Sequence, residues 1–263
     1  MEKDNKSPYF VVQTLDRAIS IMDLFIRERK PLGITEVAAE LNIHNSIVHR
    51  LMATMELRGL LEKVAESGKY YVGARAFEFG AIYMNNRFVT EGKRLLPELA
   101  EKVGGSSHMA VLNQGMVLYL VNQEAPQSML LNAPIGVRNP VNVTALGKAL
   151  VAWLEPAYVA ELLRANGMAV RTPHSIQSVD TFLEHLAGVR EKGYSVDDEE
   201  LVLGFRCVAA PVRDHSNEVV AAISVGGTSR TITPEHLEAT ADLVKSYAAA
   251  ISERLGYVNR RFG

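Results

Sequence analysis

The clearest chemical pattern lies between residues 45 and 58, where polar and apolar side chains recur with the period of an α-helix. Four apolar residues at i, i+3, i+4 and i+7 share one face that we expect to be buried: Val48, Leu51, Met52 and Met55. The opposite face then carries Ser46, His49, Arg50, Ala53 and Thr54, with Ile47 on its flank. Short polar and basic side chains of this kind suit the major groove of DNA, where they meet base edges, phosphates and thymine methyl groups.

Two shorter helices and a hairpin are expected to position this helix. Apolar periodicity predicts a first helix over about residues 14–29. A second follows over about residues 36–41, with Thr35 as the residue that caps it. Two short β-prone runs, at residues 60–64 and 69–72, predict a hairpin. Three helices followed by a hairpin are the outline of a winged helix-turn-helix.

Further residues of this unit are candidate DNA contacts. Arg17 in the first helix, Lys69 at the predicted hairpin tip and Arg75 beyond it are basic and suit phosphates. Thr35 and Asn45, at the starts of the second and third helices, complete the predicted set. Net charge does not decide the matter, because residues 1–85 hold 11 basic and 11 acidic side chains. An ordinary solvated helix surface therefore stays open as the alternative.

The composition sets limits on the class of protein. The chain has 263 residues, 48% of them hydrophobic, and a net charge of −2, which excludes a largely disordered protein. A single cysteine, Cys207, excludes an internal disulfide and is typical of a reducing compartment. Residues 1–8 are polar, unlike a secretory signal, and no apolar run reaches the roughly 20 residues of a membrane helix. We expect a soluble cytoplasmic protein with no membrane partner.

A catalytic site is the main alternative in the C-terminal half. Cys207 with Asp197 and either His108 or His215 has the composition of a nucleophilic triad. A catalytic cysteine usually lies at a helix N-terminus or beside a cation, whereas Cys207 lies within a predicted strand. The histidines lack the spacing of a structural zinc site, although the acidic run at residues 197–200 leaves an adventitious metal open. We expect no catalytic residue, no cofactor and no structural metal.

After about residue 85, strand-like apolar runs alternate with helical patterns, and a helix over about residues 75–87 links the two regions. Strands are expected at residues 108–112, 116–122, 205–212 and 219–225. Helices are expected at residues 144–154, 156–165 and 179–192, and a last one after Thr233. This mixture predicts an α+β fold, with helices packed against a sheet.

Segments along nearly the whole chain resemble the IclR family of bacterial transcriptional regulators. In the N-terminal half they are Ile34-Thr35-Glu36-Val37-Ala38, Ser46-Ile47-Val48-His49-Arg50-Leu51, Gly59-Leu60-Leu61-Glu62 and Lys69-Tyr70-Tyr71-Val72-Gly73. In the C-terminal half they include Asn142 to Leu150, Gly193 to Glu200, Gly204 to Val212, Ala221 to Val225 and Ile232 to Gly256. The matching segments follow the family's order over about residues 10–257.

The resemblance implies a winged helix-turn-helix over residues 1–73, a linker helix over residues 74–91 and a GAF-like antiparallel sheet flanked by helices over residues 92–263. It also implies a homodimer or a dimer of dimers that binds a palindromic operator in double-stranded DNA. The family more often has a basic residue at position 45 and Thr at position 47, where this chain has Asn45 and Ile47. The operator preference of other members therefore does not carry over.

The resemblance also implies a small-molecule pocket in the C-terminal domain. Its positions match Leu131, Ala145, Leu146, Asp197, Cys207, Ser224 and Gly226. Some members have Ser where this chain has Gly226, which removes a hydroxyl and enlarges the cavity. The helix start after Thr144 independently favours a carboxylate, because its backbone N–H groups are free. Asp197 suits a ligand hydroxyl, so we expect a small hydroxylated organic acid.

Several of these residues also have purely structural interpretations. Cys207 is compatible with core packing, residues 197–200 with a solvated loop, and Ser224 with a local hydrogen bond. Lys148 is expected either to face solvent or to form a structural ion pair. The prediction as a whole is a transcriptional regulator of a catabolic operon, controlled by a small organic or sugar acid. Repression is the favoured direction and activation is the alternative.

Overall fold

The computed structural model describes residues 11–125 and 134–258, and the chain divides into two compact units at Tyr83 and Met84. Residues 74–91, expected to form one linker helix, belong to two helices instead. One ends at Met84 and the next begins at Arg87, so the helix is interrupted at Asn85 and Asn86. No helix in the described part of the chain is long and apolar enough to cross a membrane.

The first unit is helical with one small hairpin. Its elements are α1 (Gln13–Glu28), α2 (Ile34–Leu41), α3 (Asn45–Leu57), β1 (Leu61–Lys63), β2 (Tyr70–Val72) and α4 (Ala74–Met84). The strands are antiparallel, with Leu61 opposite Val72. Leu32 and Tyr70 exchange two backbone hydrogen bonds of 2.9 Å, which fasten the hairpin to the segment between α1 and α2.

A single apolar core holds the three helices and the hairpin together. Ile21 of α1, Val37 of α2, Val48 and Met52 of α3 and Leu61 of β1 are all fully buried in it. Removing such side chains from water supplies most of the stability of a unit this small. The N-terminal half therefore has the three-helix and hairpin arrangement expected of a winged helix-turn-helix.

The cap of α2 differs from the expectation. Thr35 is exposed and lies inside the helix, whereas Gly33 occupies the capping position. The carboxylate of Glu36 accepts a 2.6 Å hydrogen bond from the backbone N–H of Gly33. The prediction of Thr35 as the cap was wrong, because the acidic side chain of the first helical turn satisfies the free amide instead.

The second unit combines six strands with five α-helices in its described part. Its strands are β3 (Ser106–Asn113), β4 (Met116–Glu124), β5 (Arg138–Pro140), β6 (Ser195–Asp198), β7 (Phe205–Arg213) and β8 (Val219–Thr228). Its helices are α5 (Arg87–Val103), α6 (Ala145–Val151), α7 (Pro156–Asn166), α8 (Val179–Lys192) and α9 (Leu237–Arg254). Short 3-10 turns, Val141–Val143 and Pro234–His236, precede α6 and α9.

The six strands form one antiparallel sheet with the order β5-β4-β3-β8-β7-β6. Alternate residues along each strand point to opposite faces of the sheet. Both faces are buried, because helices pack against each of them. In β7, Val208 and Val212 pack with α5 and α9, whereas Ala209 packs with α6 and α8. The fold is α+β, as the sequence predicts. The face toward α6 carries the polar side chains of the candidate ligand site.

Candidate functional site

Helix α3 of the first unit presents the polar surface that its sequence predicts. Val48, Met52 and Met55 are buried in the core, and Leu51 is partly buried against it. The other face exposes Asn45, Ser46, His49, Arg50 and Thr54, with Ile47 partly exposed at its edge. The helix is thus held by its apolar side and free on the side predicted to contact DNA.

The start of α3 is fixed by a residue that the sequence analysis did not single out. His44 precedes the helix, and its ring Nδ1 accepts a 3.3 Å hydrogen bond from the backbone N–H of Ser46. The hydroxyl of Ser46 lies 2.8 Å from the same nitrogen. At the far end, the Thr54 hydroxyl donates a 2.7 Å hydrogen bond to the backbone carbonyl of Arg50. The Arg50 guanidinium forms no ion pair with any residue in the described part of the chain.

Two of the basic residues predicted to contact DNA from outside α3 are bonded to other residues of the first unit. Lys69 is not at the hairpin tip but directly before β2, and its Nζ lies 2.8 Å from Glu36 of α2. This pair lowers the pKa of Glu36. Arg75 donates a 3.1 Å hydrogen bond to the carbonyl of Arg58, at the end of α3. Lys69 and Arg75 therefore connect different elements of the unit. Arg17 of α1 is partly exposed.

The second unit contains a cavity of about 280 Å³ on the α6 side of its sheet. Six of the seven predicted effector residues line it: Ala145, Leu146, Asp197, Cys207, Ser224 and Gly226. The seventh, Leu131, lies outside the described residues. Additional polar lining comes from Ser106, His108, Tyr119, Asn139 and Thr144. The cavity is slightly smaller than the roughly 300 to 1,000 Å³ of typical ligand pockets, so it suits a small molecule.

Strand register explains why these distant residues meet. Asp197 of β6 lies opposite Cys207 of β7, which lies opposite Gly226 of β8, which lies opposite Ser106 of β3. The four residues form one row across the sheet, since directly paired residues have Cβ atoms about 5 Å apart. A Cβ built on Gly226 would lie 3.0 Å from the Cys207 sulfur. Glycine at this position therefore leaves room for the Cys207 thiol on the neighbouring strand.

Asp197 is the acidic group of the cavity. Its Oδ1 accepts hydrogen bonds from the backbone N–H groups of Glu200, at 2.8 Å, and Leu201, at 3.2 Å. Only 3% of the residue is exposed, and burial raises the pKa of its carboxyl to about 7. Near neutral pH the Asp197 carboxyl is therefore a mixture of two forms. The charged form only accepts hydrogen bonds, whereas the neutral carboxylic acid is also able to donate one.

The start of α6 forms another wall. Thr144 caps the helix, and its hydroxyl accepts a 3.1 Å hydrogen bond from Gly147 N. A Cβ on Gly147 would lie 2.6 Å from that hydroxyl oxygen, so only glycine fits this turn. Ala145 and Leu146 are the first two residues of the helix, and both line the cavity. Their backbone N–H groups have no carbonyl one turn earlier in the helix to which they could donate.

The cavity also brings together Cys207, His108 and Asp197, the members of the triad considered from the sequence. Their electrostatics do not suit nucleophilic catalysis. Burial raises the pKa of the Cys207 thiol and lowers the pKa of His108 to about 4. No hydrogen bond joins the two among the contacts of these described residues, and the described lining contains no lysine or arginine to stabilise a thiolate.

Each acidic side chain that follows Asp197 in the run has a partner within the protein. Glu200 pairs with Lys148, Asp198 pairs with Arg206, and Glu199 accepts a 2.7 Å hydrogen bond from the backbone N–H of Gly204. Over residues 11–125 and 134–258, no three His, Cys, Asp or Glu side chains converge as a metal site would require.

The predicted effector set left out polar residues that line the cavity, among them Ser106, His108, Tyr119 and Asn139. The alternation along β3 was the available signal, because Met109 and Val111 enter the core that faces α5 and α9, and His108 must then point the other way. Asn139 Nδ2 lies 3.4 Å from the Tyr119 hydroxyl. Burial raises the pKa of Tyr119, which keeps this hydroxyl protonated.

A helix-turn-helix unit with an exposed reading helix, followed by a second unit with a small ligand-sized cavity, is typical of one class of protein, the ligand-responsive transcriptional regulators. Comparison with known families agrees. Residues 14–65 match the IclR helix-turn-helix domain, and residues 83–253 match the C-terminal domain of bacterial IclR transcriptional regulators. The chain belongs to the IclR family of transcriptional regulators.

Individual relatives match over nearly their full length. The HTH-type transcriptional regulator XynR of Escherichia coli K12 is 32% identical over 94% of this chain and 98% of its own. Transcriptional repressor IclR of the same organism is 33% identical, over 86% of this chain and 84% of its own. The crystal structure of an IclR homolog from Microbacterium hydrocarbonoxydans, complexed with 4-hydroxybenzoate, has a TM-score of 0.80 and 22% identity, covering 92% of this chain and 99% of the other.

Proposed function

We propose that the protein represses a catabolic operon by binding a palindromic operator through α3, and that a small organic acid in the C-terminal cavity controls this binding. The exposed face of α3 carries the proposal. Its side chains point outward from a helix whose apolar side is fixed by Val48, Met52 and Met55. A helix held in this way enters a major groove without rearrangement of its own unit. The protein would act in the cytoplasm, on the chromosome.

The proposed DNA contacts are the residues predicted from the sequence: Arg17, Thr35, Asn45, Ser46, Ile47, His49, Arg50, Thr54 and Lys69. The exposed α3 side chains suit bases and phosphates, and Arg50 suits a bidentate contact. Lys69 reaches DNA only by leaving Glu36 or by contacting a phosphate while paired, since its ammonium group has three donors.

A second copy of the chain is the proposed partner. Helix α4 has no buried residue, and Phe79 and Ile82, three positions apart on one helical face, are 59% and 71% exposed. Exposed apolar side chains of this size are typical of protein interfaces. A dimer would present two copies of α3 to half-sites about one helical turn apart.

The groups that line the cavity support the proposed effector class. Asp197, Ser224, Tyr119 and the amides that begin α6 supply hydrogen-bonding groups, and Leu146 supplies apolar wall. The microbial relative bound to 4-hydroxybenzoate has an organic acid as ligand. We propose that the protein senses a small carboxylic acid, has no enzymatic activity, and uses Ala145, Leu146, Asp197, Cys207, Ser224 and Gly226 to hold the ligand, with Leu131 assigned by family resemblance alone.

Operator selection tests the function. Purified protein is mixed with a library of random duplexes, bound DNA is recovered over several rounds, and the enriched sequence is examined for an inverted repeat. We expect a palindrome with half-sites about 10 base pairs apart, or a multiple of that spacing. Gel shifts with that duplex then measure release by a panel of small carboxylic acids. Failure to enrich any sequence would contradict the assignment of α3 as a reading helix.

A further inference from the structure

One buried polar group of the cavity lacks a partner. His108 of β3 is 5% exposed, and its Nε2 makes no hydrogen bond to any described residue. Its ring packs edge to face on Tyr119, with 5.5 Å between ring centroids. Its paired residue on β8 is Ser224, which also lines the cavity.

An unpartnered polar atom in the interior is destabilising, because it has lost its hydrogen bonds to water without gaining others. The neighbouring buried side chains of the same strand behave differently. The Ser107 hydroxyl donates a 2.7 Å hydrogen bond to the Leu96 carbonyl, and the Ser106 hydroxyl lies 3.4 Å from the Gly226 carbonyl. The strand can therefore satisfy its polar side chains, and His108 is the exception.

The surroundings specify what kind of group His108 can meet. With a pKa lowered to about 4 by burial, the imidazole is neutral at physiological pH and has one N–H donor and one acceptor nitrogen. The described lining has no lysine or arginine, and its acidic member is Asp197. A neutral ring beside an acidic group suits an uncharged hydroxyl or carbonyl better than a second carboxylate.

We propose that His108 is a specificity-determining residue of the effector cavity, whose Nε2 hydrogen-bonds an uncharged hydroxyl or carbonyl group of the bound acid. The proposal rests on the effector function proposed above and refines it. The ligand class becomes a small monocarboxylate with a second, neutral oxygen. A site that reserves a buried hydrogen-bonding group for that oxygen rejects analogues that lack it, since the imidazole then stays unpaired.

Two substitutions separate this role from simple packing. His108→Phe keeps a flat ring and removes both nitrogens, while His108→Gln places an amide near the position of Nε2. Ser107→Ala is the matched control, because Ser107 is fully buried on the same strand, its hydroxyl is satisfied, and it does not line the cavity. The full-length protein is used throughout, and thermal unfolding is measured without ligand and with each probe acid.

The probes are two pairs of acids that differ by one hydroxyl, 4-hydroxybenzoate with benzoate and lactate with propionate. Without ligand, we expect His108→Phe to raise the Tm by a few degrees and Ser107→Ala to lower it. With ligand, we expect the wild type and Ser107→Ala to prefer the hydroxylated member of at least one pair tenfold or more. His108→Phe should lose this preference, and His108→Gln should keep part of it.

Either of two results would overturn the role of His108. One is a lower Tm for unliganded His108→Phe, which would show that the imidazole is already satisfied in the folded protein. The other is a wild-type protein with no preference in either pair, or a preference that survives His108→Phe. Operator binding is measured in parallel on the same samples. If the wild type does not bind the operator, the regulator function is refuted. The Tm values of the wild type and the His108 variants still test the role of His108 in that case.

Discussion

Lys148 and Glu200 form an ion pair inside the C-terminal unit, where the lysine side chain is fully buried and 8% of the glutamate side chain is exposed. Lys148 Nζ also donates a 2.7 Å hydrogen bond to the carbonyl of Val196. Because Lys148 belongs to α6 and the backbone N–H of Glu200 donates to Asp197, the pair connects two walls of the cavity. Of the two interpretations left open by the sequence, the structural ion pair is correct.

Removing the lysine alone should be strongly destabilising. In Lys148→Met the buried Glu200 carboxylate loses its counter-charge, and we expect a loss of about 3–5 kcal/mol in the free energy of unfolding. In the double variant with Glu200→Leu no buried charge remains, so much of this loss should be recovered. Urea unfolding of the wild type, both single variants and the double variant measures the coupling. Equal destabilisation in the single and double variants would contradict the pairing.

Asp197 should make stability depend on pH. Its pKa is raised to about 7 in the folded protein, against about 3.9 for an unfolded chain, so folding takes up a proton between these values. Its contribution is fully present below about pH 4 and is lost as the pH rises to about 7. Asp197→Asn removes this contribution, at about 1.4 kcal/mol for each unit of pKa difference. Between pH 5 and 8 the wild type should therefore lose more stability than the variant.

Urea unfolding at several pH values tests this dependence. His108 acts in the opposite direction, since its lowered pKa makes folding release a proton as the pH falls below about 6.5. The same histidine is present in both proteins, so their difference reports Asp197. Asp180→Asn, at an exposed position of α8, is the matched control and should follow the wild type. Parallel curves for the wild type and Asp197→Asn would show that the carboxyl is ionised throughout.

Local periodicity was sufficient to predict the surface of α3, because which side of a helix is buried depends mainly on the apolar residues of that helix. It was insufficient for β5 and β6, which have only three and four residues and form through pairing with longer strands. Asp197 accordingly had a loop interpretation in the sequence, whereas in the structure it pairs with Cys207 in the sheet.

Contacts between distant residues set the other limit on prediction. Lys148 and Glu200 are 52 positions apart, and no local pattern identifies one as the partner of the other. Lys69 and Glu36, 33 positions apart, present the same difficulty, because no local pattern indicates that Lys69 pairs with α2. That His108 Nε2 has no hydrogen-bond partner among the described residues is likewise a property of its surroundings, which its own sequence does not indicate.

The apolar face of α4 should control the oligomeric state. Phe79→Glu with Ile82→Glu places two negative charges where a second copy is proposed to pack, and burying unpaired charges is unfavourable. We expect the double variant to be a monomer with unchanged secondary structure and much weaker binding to a palindromic operator. Light scattering after size-exclusion chromatography measures the mass. Tyr158→Glu, at a residue of α7 that is 54% exposed, is the control. An unchanged mass for the α4 variant would place the interface elsewhere.

Arg50 should contribute to operator affinity through its guanidinium group. Arg50→Ala is expected to weaken operator binding by about 1–3 kcal/mol. Arg50 is exposed on α3 and forms no ion pair with the described residues, so its guanidinium group is available to contact DNA. Arg27→Ala is the matched control, since Arg27 of α1 is already paired with Glu28 and Glu40 and should leave affinity unchanged.

Gel shifts over a range of salt concentrations and operator variants identify what Arg50 contacts. A base contact predicts loss of preference at one operator position, because the guanidinium pairs bidentately with guanine. A phosphate contact predicts uniform weakening across sequences and a salt dependence reduced by about one ion. Unchanged affinity in Arg50→Ala, with Arg27→Ala also unchanged, would remove Arg50 from the reading surface and shift that role to Ser46 and His49 at the start of the same helix.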